Sequence, residues 1–172
     1  ILGTAIKPSF IEPIVLMLIG AVITAVMQSS TAVNAVLLSM VAAGIGIGSG
    51  GNAILYIVLG TNIGTCVTAL ISSAGATTNA KRAALIHFLF NFCGSVLFLI
   101  VLMIWKDFMS GFWQNAIKSP EMQLALFHLT FNSICTLIFL PLTGVIVKVT
   151  ELLIKEKHVE EEIRITYMDE RM

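Results

Sequence analysis

Apolar runs of about twenty residues recur along this chain, and that recurrence decides what it can fold into. A run of that length crosses the roughly 30 Å hydrocarbon core of a bilayer as a helix. Backbone inside a bilayer must satisfy its own hydrogen bonds, so only helices and closed barrels span it. The runs fall at about residues 11–27, 31–47, 53–73, 83–104 and 123–148. Only 12% of residues are charged, against 57% hydrophobic, and a soluble domain carries about 25% charged residues. The expected class is therefore an all-α membrane protein.

The first two runs are separated only by Gln28, Ser29, Ser30 and Thr31. A full crossing ends in water, where a turn with charge, Gly or Pro is free to form, and this turn has none. The better fit is a re-entrant helical hairpin over 11–47 with its tip inside the membrane. Non-helical backbone at that depth is tolerated where protein or a water-filled cavity covers it. Either reading returns the chain to its starting side. After the turn-forming GIGIGSGGN (44–52), the third run crosses. Gly60 and Gly64 bracket Asn62 there and would permit a break, so a broken helix is expected over 53–73. Helices over 83–104 and 123–148 then cross back and across again, giving about three transmembrane helices beside the hairpin. The closing stretch from 149 has Glu and Lys at helical spacings and reads as a soluble helix leaving the membrane. This divides the chain into a transmembrane part, 1–150, and a charged helical tail, 151–172. Seven Lys and Arg lie on the side of Lys81, Arg82 and the tail, and three on the other. The positive-inside bias makes tail residues 149–172 cytoplasmic in a multi-pass protein of the cell inner (plasma) membrane. It leaves Trp105, Phe112 and Trp113 for the opposite interface.

An internal echo follows. ALIHFLFNFCGSVLFL (84–99) and ALFHLTFNSICTLIFL (125–140) both place His four residues before Asn. That spacing puts His87 with Asn91, and His128 with Asn132, on one helix face. Either these are interhelical glue, or they form a polar scaffold that holds a substrate domain.

Net charge is zero, so no basic surface points to nucleic acid. Cys66, Cys93 and Cys135 sit in apolar runs without metal-ligand spacing and read as packing residues. Apart from Glu12 at the very start of the first run, no Asp or Glu lies inside a span, whereas proton-coupled carriers rely on intramembrane carboxylates. A cation bound here must be held by neutral oxygens, which suits sodium attracted by a co-bound anion. Two segments offer such oxygens. One is Gln28–Thr31. The other is GTNIGTCVT (60–68), where Thr61, Thr65, Thr68 and Ser72 form one stripe down a helix. The plainer alternative is that these hydroxyls only bond back to carbonyls one turn earlier. Ser29 and Ser30 have no partner at depth except His87 and His128, so no enzyme is expected.

TAVMQSST followed by GTNIGTCVTALISS resembles the type II sodium/phosphate cotransporters, whose signature is a QSSS patch and a G-x-N-I-G-T segment in each of two inverted halves. NAKRAALIHFLFN (79–91) looks closest to the bacterial branch, and YMDER (167–171) is similar to its linker into a cytosolic regulator-type domain. The resemblance implies sodium-coupled phosphate symport, with Na+ as coupling ion. It implies that Gln28, Ser29, Ser30 and Thr31 contact phosphate, and that Gln28, Ser29, Thr61, Asn62, Thr65 and Thr68 coordinate or support sodium. Thr31 departs from the fourth Ser but keeps the hydroxyl. Only one copy of each motif is present, so the chain looks like the carboxyl-terminal repeat. It is then either a fragment or a half-transporter completed by a second repeat or a second copy of itself as a homodimer. The alternatives are a membrane carrier for another small oxyanion and a non-transporting membrane anchor for a cytosolic phosphate regulator.

Overall fold

The computed structural model describes residues 11–46, 48, 51–106, 108, 114–117 and 119–155. Among these the secondary structure is helix without strand: α1 (Ile11–Met27), α2 (Ser30–Ala42), α3 (Ala53–Ser73), α4 (Thr78–Ile104), the single turn α5 (Gln114–Ala116), α6 (Pro120–Phe139) and α7 (Thr143–Leu153). Three helices, α3, α4 and α6, are long and apolar enough to cross a membrane, in line with the expected all-α class. By contrast, α1 and α2 have 17 and 13 residues. At 1.5 Å per residue they reach about 25 and 20 Å, short of a full crossing.

Missing side chains hold α1 against α3. A Cβ added at Gly60 would lie 2.8 Å from the Ala21 nitrogen and nearer still to the Met17 carbonyl oxygen. One added at Gly64 would lie 2.5 Å from the Ala21 oxygen and 2.6 Å from the Thr24 Cβ. On the facing helix, one at Gly20 would meet the Ile57 backbone. Residue number rises together along both helices, so they run parallel, backbone against backbone. Small residues are how helices approach in lipid, where water supplies no driving force between them. The expected break in 53–73 is therefore corrected: α3 is unbroken from Ala53 to Ser73. Gly60 and Gly64 serve close approach rather than interruption.

After α2 the chain returns to where α1 began. A Cβ at Gly48 would come within 2.9 Å of Glu12 Oε1 and 3.3 Å of Leu16 Cδ1. Thus α1 and α2 lead out and back, with Gln28 and Ser29 at the far end.

α4 runs antiparallel to α3. Ser95 Oγ donates to the Leu59 carbonyl at 3.0 Å. Asn52 Nδ2 donates to the carbonyls of Leu102 (3.1 Å) and Trp105 (2.8 Å), and the Tyr56 hydroxyl donates to Leu102 at 3.3 Å. The last carbonyls of a helix have no partner within it, so α3 caps α4. Asn52 is 2% exposed. Asn52→Leu is expected to lower stability by about 1–3 kcal/mol, the cost of stranding buried carbonyls. Thermal unfolding in detergent checks this, with Ser39→Ala, on the exposed face of α2, as the neutral comparison.

α6 packs antiparallel on α4. The Phe98 ring meets Phe131 edge-on at 4.9 Å and Phe127 at 6.3 Å, while Gly94 faces Cys135. Leu55, Val58 and Leu59 of α3 join Leu99, Leu102, Phe127 and Phe131 in one buried cluster. The outward faces stay apolar, as at Leu18, Val22 and Val26 of α1, Ile100 and Ile104 of α4, and Leu129 and Leu137 of α6. An apolar exterior of that extent suits lipid.

Several expected boundaries move. α4 begins at Thr78 rather than 83, because the Thr77 hydroxyl accepts from the Ala80 nitrogen (3.4 Å) and caps a polar first turn. The expected helix 123–148 is divided. α6 begins earlier, at Pro120 behind the Ser119 cap, and ends at Phe139, and α7 begins at Thr143. Pro141 stands between them; it has no N–H to continue the ladder, and its ring crowds the preceding turn. α7 then returns toward the start of α4, where Arg82 Nε donates to the Ile154 carbonyl at 3.1 Å. Phe112, Trp113 and the tail from residue 156 lie outside the described residues.

Candidate functional site

The far end of the out-and-back pair is built from three backbone decisions. Gln28 donates its N–H to the Thr24 carbonyl at 2.7 Å, closing α1. Gln28 itself sits at φ 53, in the left-handed region. Ser29 is extended, and its hydroxyl accepts from the Ala32 nitrogen at 3.2 Å, which caps α2. Serine is favoured there because its short side chain reaches the first turn. The first N–H groups of a helix have no acceptor within it. With Ala32 satisfied by Ser29, those of Ser30 and Thr31 have no acceptor within α2, at the positive end of its dipole. Such an end attracts anions. Gln28 and Thr31 are exposed, and Ser29 and Ser30 half-buried.

On α3 the hydroxyls bond back to their own helix. Thr61 Oγ1 donates to Val58 O at 2.8 Å and Thr65 Oγ1 to Asn62 O at 2.6 Å. These are the local bonds of the plainer alternative, yet they use only the O–H, and a hydroxyl keeps two lone pairs. The half-buried Thr68 lies one turn beyond Gly64. Because Thr24 abuts Gly64 and the two helices are parallel, Gln28, one turn beyond Thr24, stands level with Thr68.

Asn62 is 6% exposed and links two further helices. Its Nδ2 donates to Val58 O at 3.1 Å, and its Oδ1 lies 3.3 Å from His128 Nε2. His128 Nδ1 in turn lies 3.1 Å from Asn34 Nδ2. Only one proton placement serves both contacts as drawn: Nε2–H donates to Asn62, and Nδ1 accepts from Asn34. A cavity of about 290 Å³ adjoins this chain of bonds, lined by Thr31, Asn34, Val58 and His128 among others. The buried Asn34 Oδ1 has no partner, and neither does Thr24 Oγ1.

Asn34 was not among the expected site residues. A lone Asn in VNAVLLS offers one signal, a carboxamide in an apolar run, but its partner is 94 residues away. The two His/Asn pairs also prove unlike. Asn91 and Asn132 each donate to the backbone carbonyl of their own histidine, at 3.2 and 2.9 Å. Asn91 adds a bond to Cys66 Sγ at 3.2 Å. The His87 side chain is exposed, while His128 reaches both Asn34 and Asn62. The fold therefore brings Thr31, Asn34 and His128 together around one cavity, with Asn62 bonded to His128 from α3, and leaves His87 outside it.

A family model described as Na+/Pi-cotransporter matches residues 2–114, more than half of the chain. YqeW of Bacillus subtilis (strain 168), an uncharacterized protein, is 36% identical over 141 residues, covering 82% of this chain and 44% of the relative. The YjbB proteins of Escherichia coli (strain K12) and Shigella flexneri, provisionally named inorganic phosphate export proteins, are each 29% identical over 154 residues. Those matches cover 88% of this chain and 27% of each relative. The chain thus spans less than half the length of the curated relatives it matches. No solved structure matches it.

Proposed function

Since the chain belongs to the Na+/Pi-cotransporter family, we propose that it is one inverted-repeat half of a carrier that moves inorganic phosphate across the cell membrane together with sodium. The observation that carries this reading is the tip at Gln28–Thr31. There a helix N-terminus with unused N–H groups is ringed by an amide and three hydroxyls, on a pair of helices too short to cross alone. Phosphate sits at the tip, held by Gln28, Ser29, Ser30 and Thr31. Sodium is held by neutral oxygens of Gln28, Ser29, Thr61, Asn62, Thr65 and Thr68. The donor set fits a hard monovalent ion: each Thr61 and Thr65 hydroxyl keeps lone pairs beyond its donated bond, and α3 and α4 carry no carboxylate. The sodium charge offsets that of the anion, so neither is buried unpaired.

In this reading α1 and α2 form a re-entrant hairpin, the region 1–150 is the transporter repeat, and the tail 151–172 is cytosolic. A second repeat or a second copy of the chain covers the exposed tip. α6 belongs to the scaffold against which the core moves. The name of YjbB supports phosphate as the anion, while the site chemistry alone would accept another small oxyanion. No covalent step is required, as expected of a cotransporter family.

Proteoliposomes holding the purified chain test this. An inward sodium gradient should drive accumulation of radiolabelled phosphate, and a matched potassium gradient should not. Phosphate flux indifferent to sodium would replace symport with uncoupled release. Folded protein that moves no phosphate would mean that the tip needs its second repeat. Loss of function on deleting 150–172, with Gln28→Ala harmless, would favour the anchor reading. Thr65→Val keeps shape and removes a hydroxyl. It should raise the sodium half-saturation about tenfold, one lost oxygen contact being worth about 1.4 kcal/mol, while the melting temperature holds.

A further inference from the structure

We propose that His128 is a positioning residue for cation binding: it fixes which end of the Asn62 carboxamide faces the site and ties that amide, through Asn34, to the second arm of the hairpin. This rests on the reading of Asn62 as a sodium ligand. A carboxamide presents either an oxygen, which binds a cation, or an NH2 group, which repels one, and rotation by half a turn exchanges them. At Asn62 both ends are engaged. Nδ2 donates to Val58 O at 3.1 Å, and Oδ1 accepts from His128 Nε2 at 3.3 Å. The oxygen has a second lone pair, so His128 can hold it in place without consuming its capacity for a cation. Removing the imidazole leaves only the Nδ2–Val58 O bond to orient the amide. Partners that orient a metal ligand in this way commonly change affinity by about 10–100-fold when lost.

The Nδ1 contact extends the device. It receives Asn34 Nδ2 at 3.1 Å, so one imidazole from α6 bonds to α2 and α3 at once. Asn34 lies one turn beyond Thr31 and Ser30, on the helix whose start forms the tip. Its other end, Oδ1, is buried without a partner beside a cavity of about 290 Å³ that Thr31 also lines. The anion-facing arm and the sodium-facing amide are thereby held in a fixed relation by one side chain. His87 repeats the His128 sequence context 41 residues earlier but is exposed, which supplies an internal control.

Sodium titration of the purified chain, read as thermal stabilisation and so independent of transport, tests the proposal. His128→Phe keeps a ring and removes both contacts, and should raise the sodium half-saturation about tenfold. His128→Gln offers one donor and one acceptor on a side chain of similar reach, and should stay within about threefold of the parent. His87→Phe should match the parent. In Asn62→Ala the further change His128→Phe should add nothing, because His128 acts through Asn62. An unchanged half-saturation in His128→Phe overturns the proposal. So does equal weakening by His87→Phe, or full additivity with Asn62→Ala, or a parent chain that sodium does not stabilise. If His128→Phe fails to fold, the Gln variant and the Asn34→Leu variant decide. Asn34→Leu should then raise the sodium half-saturation above that of the Gln variant, and an Asn34→Leu half-saturation equal to the parent's overturns the proposal. Phosphate flux measured on the same preparations separates the two readings. Sodium binding that responds to His128→Phe, in a chain whose phosphate flux is indifferent to sodium, removes symport and leaves His128 in its role. Sodium-driven phosphate movement unaffected by His128→Phe does the reverse.

Discussion

Gly60→Val is expected to yield little or no folded protein. The first carbon of any side chain at this position would lie 2.8 Å from the Ala21 nitrogen and closer to the Met17 carbonyl. Both obstacles are backbone, so no rotamer change relieves them, and α1 must separate from α3. Overpacking of side chains costs about 1–3 kcal/mol, and displacing a helix backbone belongs at or above the top of that range. The loss is larger here because α1 has little else to hold it. Its outward face, at Leu18, Val22 and Val26, is exposed. Size-exclusion profiles and thermal unfolding in detergent check this. Gly94→Ala, whose added Cβ would meet the side-chain sulfur of Cys135 at 2.6 Å, should cost less, since a sulfur can shift. Equal stability of Gly60→Val and the parent would mean that the α1–α3 seam is wrong.

Gln28→Gly is expected to separate stability from binding. A non-glycine residue at φ 53 costs on the order of 1 kcal/mol of backbone strain, and glycine adopts that conformation without it. The variant should therefore melt higher than the parent. It should also lose phosphate binding about tenfold or more, because a hydrogen bond to a charged ligand is worth about 1.5–3 kcal/mol. A side chain retained where the backbone would prefer none is the strongest local sign that Gln28 has a task. Gln28→Ala should lose binding equally without the gain in stability. Phosphate titration and melting of the three proteins decide the matter; unchanged binding in both variants would remove Gln28 from the site.

The large divisions of this fold were legible because they follow from hydropathy. Runs of about twenty apolar residues give α3, α4 and α6, and the polar interruption at Gln28–Thr31 marks the end of α1. The boundaries set by single side chains were less so. The Thr77 cap extends α4 into TNAKR, a stretch that reads as loop because its residues are polar. Pro141 divides a run whose hydropathy is continuous. Gly60 and Gly64 read as a break, and only the presence of Met17, Ala21 and Thr24 on the facing helix shows them to be a contact surface. The Asn34–His128–Asn62 chain was beyond sequence reasoning for a similar cause. The echo shared by His87 and His128 describes their own helices, whereas what distinguishes them is the helix opposite.

The parallel seam between α1 and α3 also sets an order of events during synthesis. α1 emerges before α3, too short to span and without the glycines it must dock against. Those arrive only with Gly60 and Gly64, and α3 is complete at Ser73. At about 5–20 residues per second, the hairpin waits a few seconds for its mate. During that interval its polar tip lacks the α3 face against which α1 packs. A ribosome that slows before residue 60 would lengthen the wait.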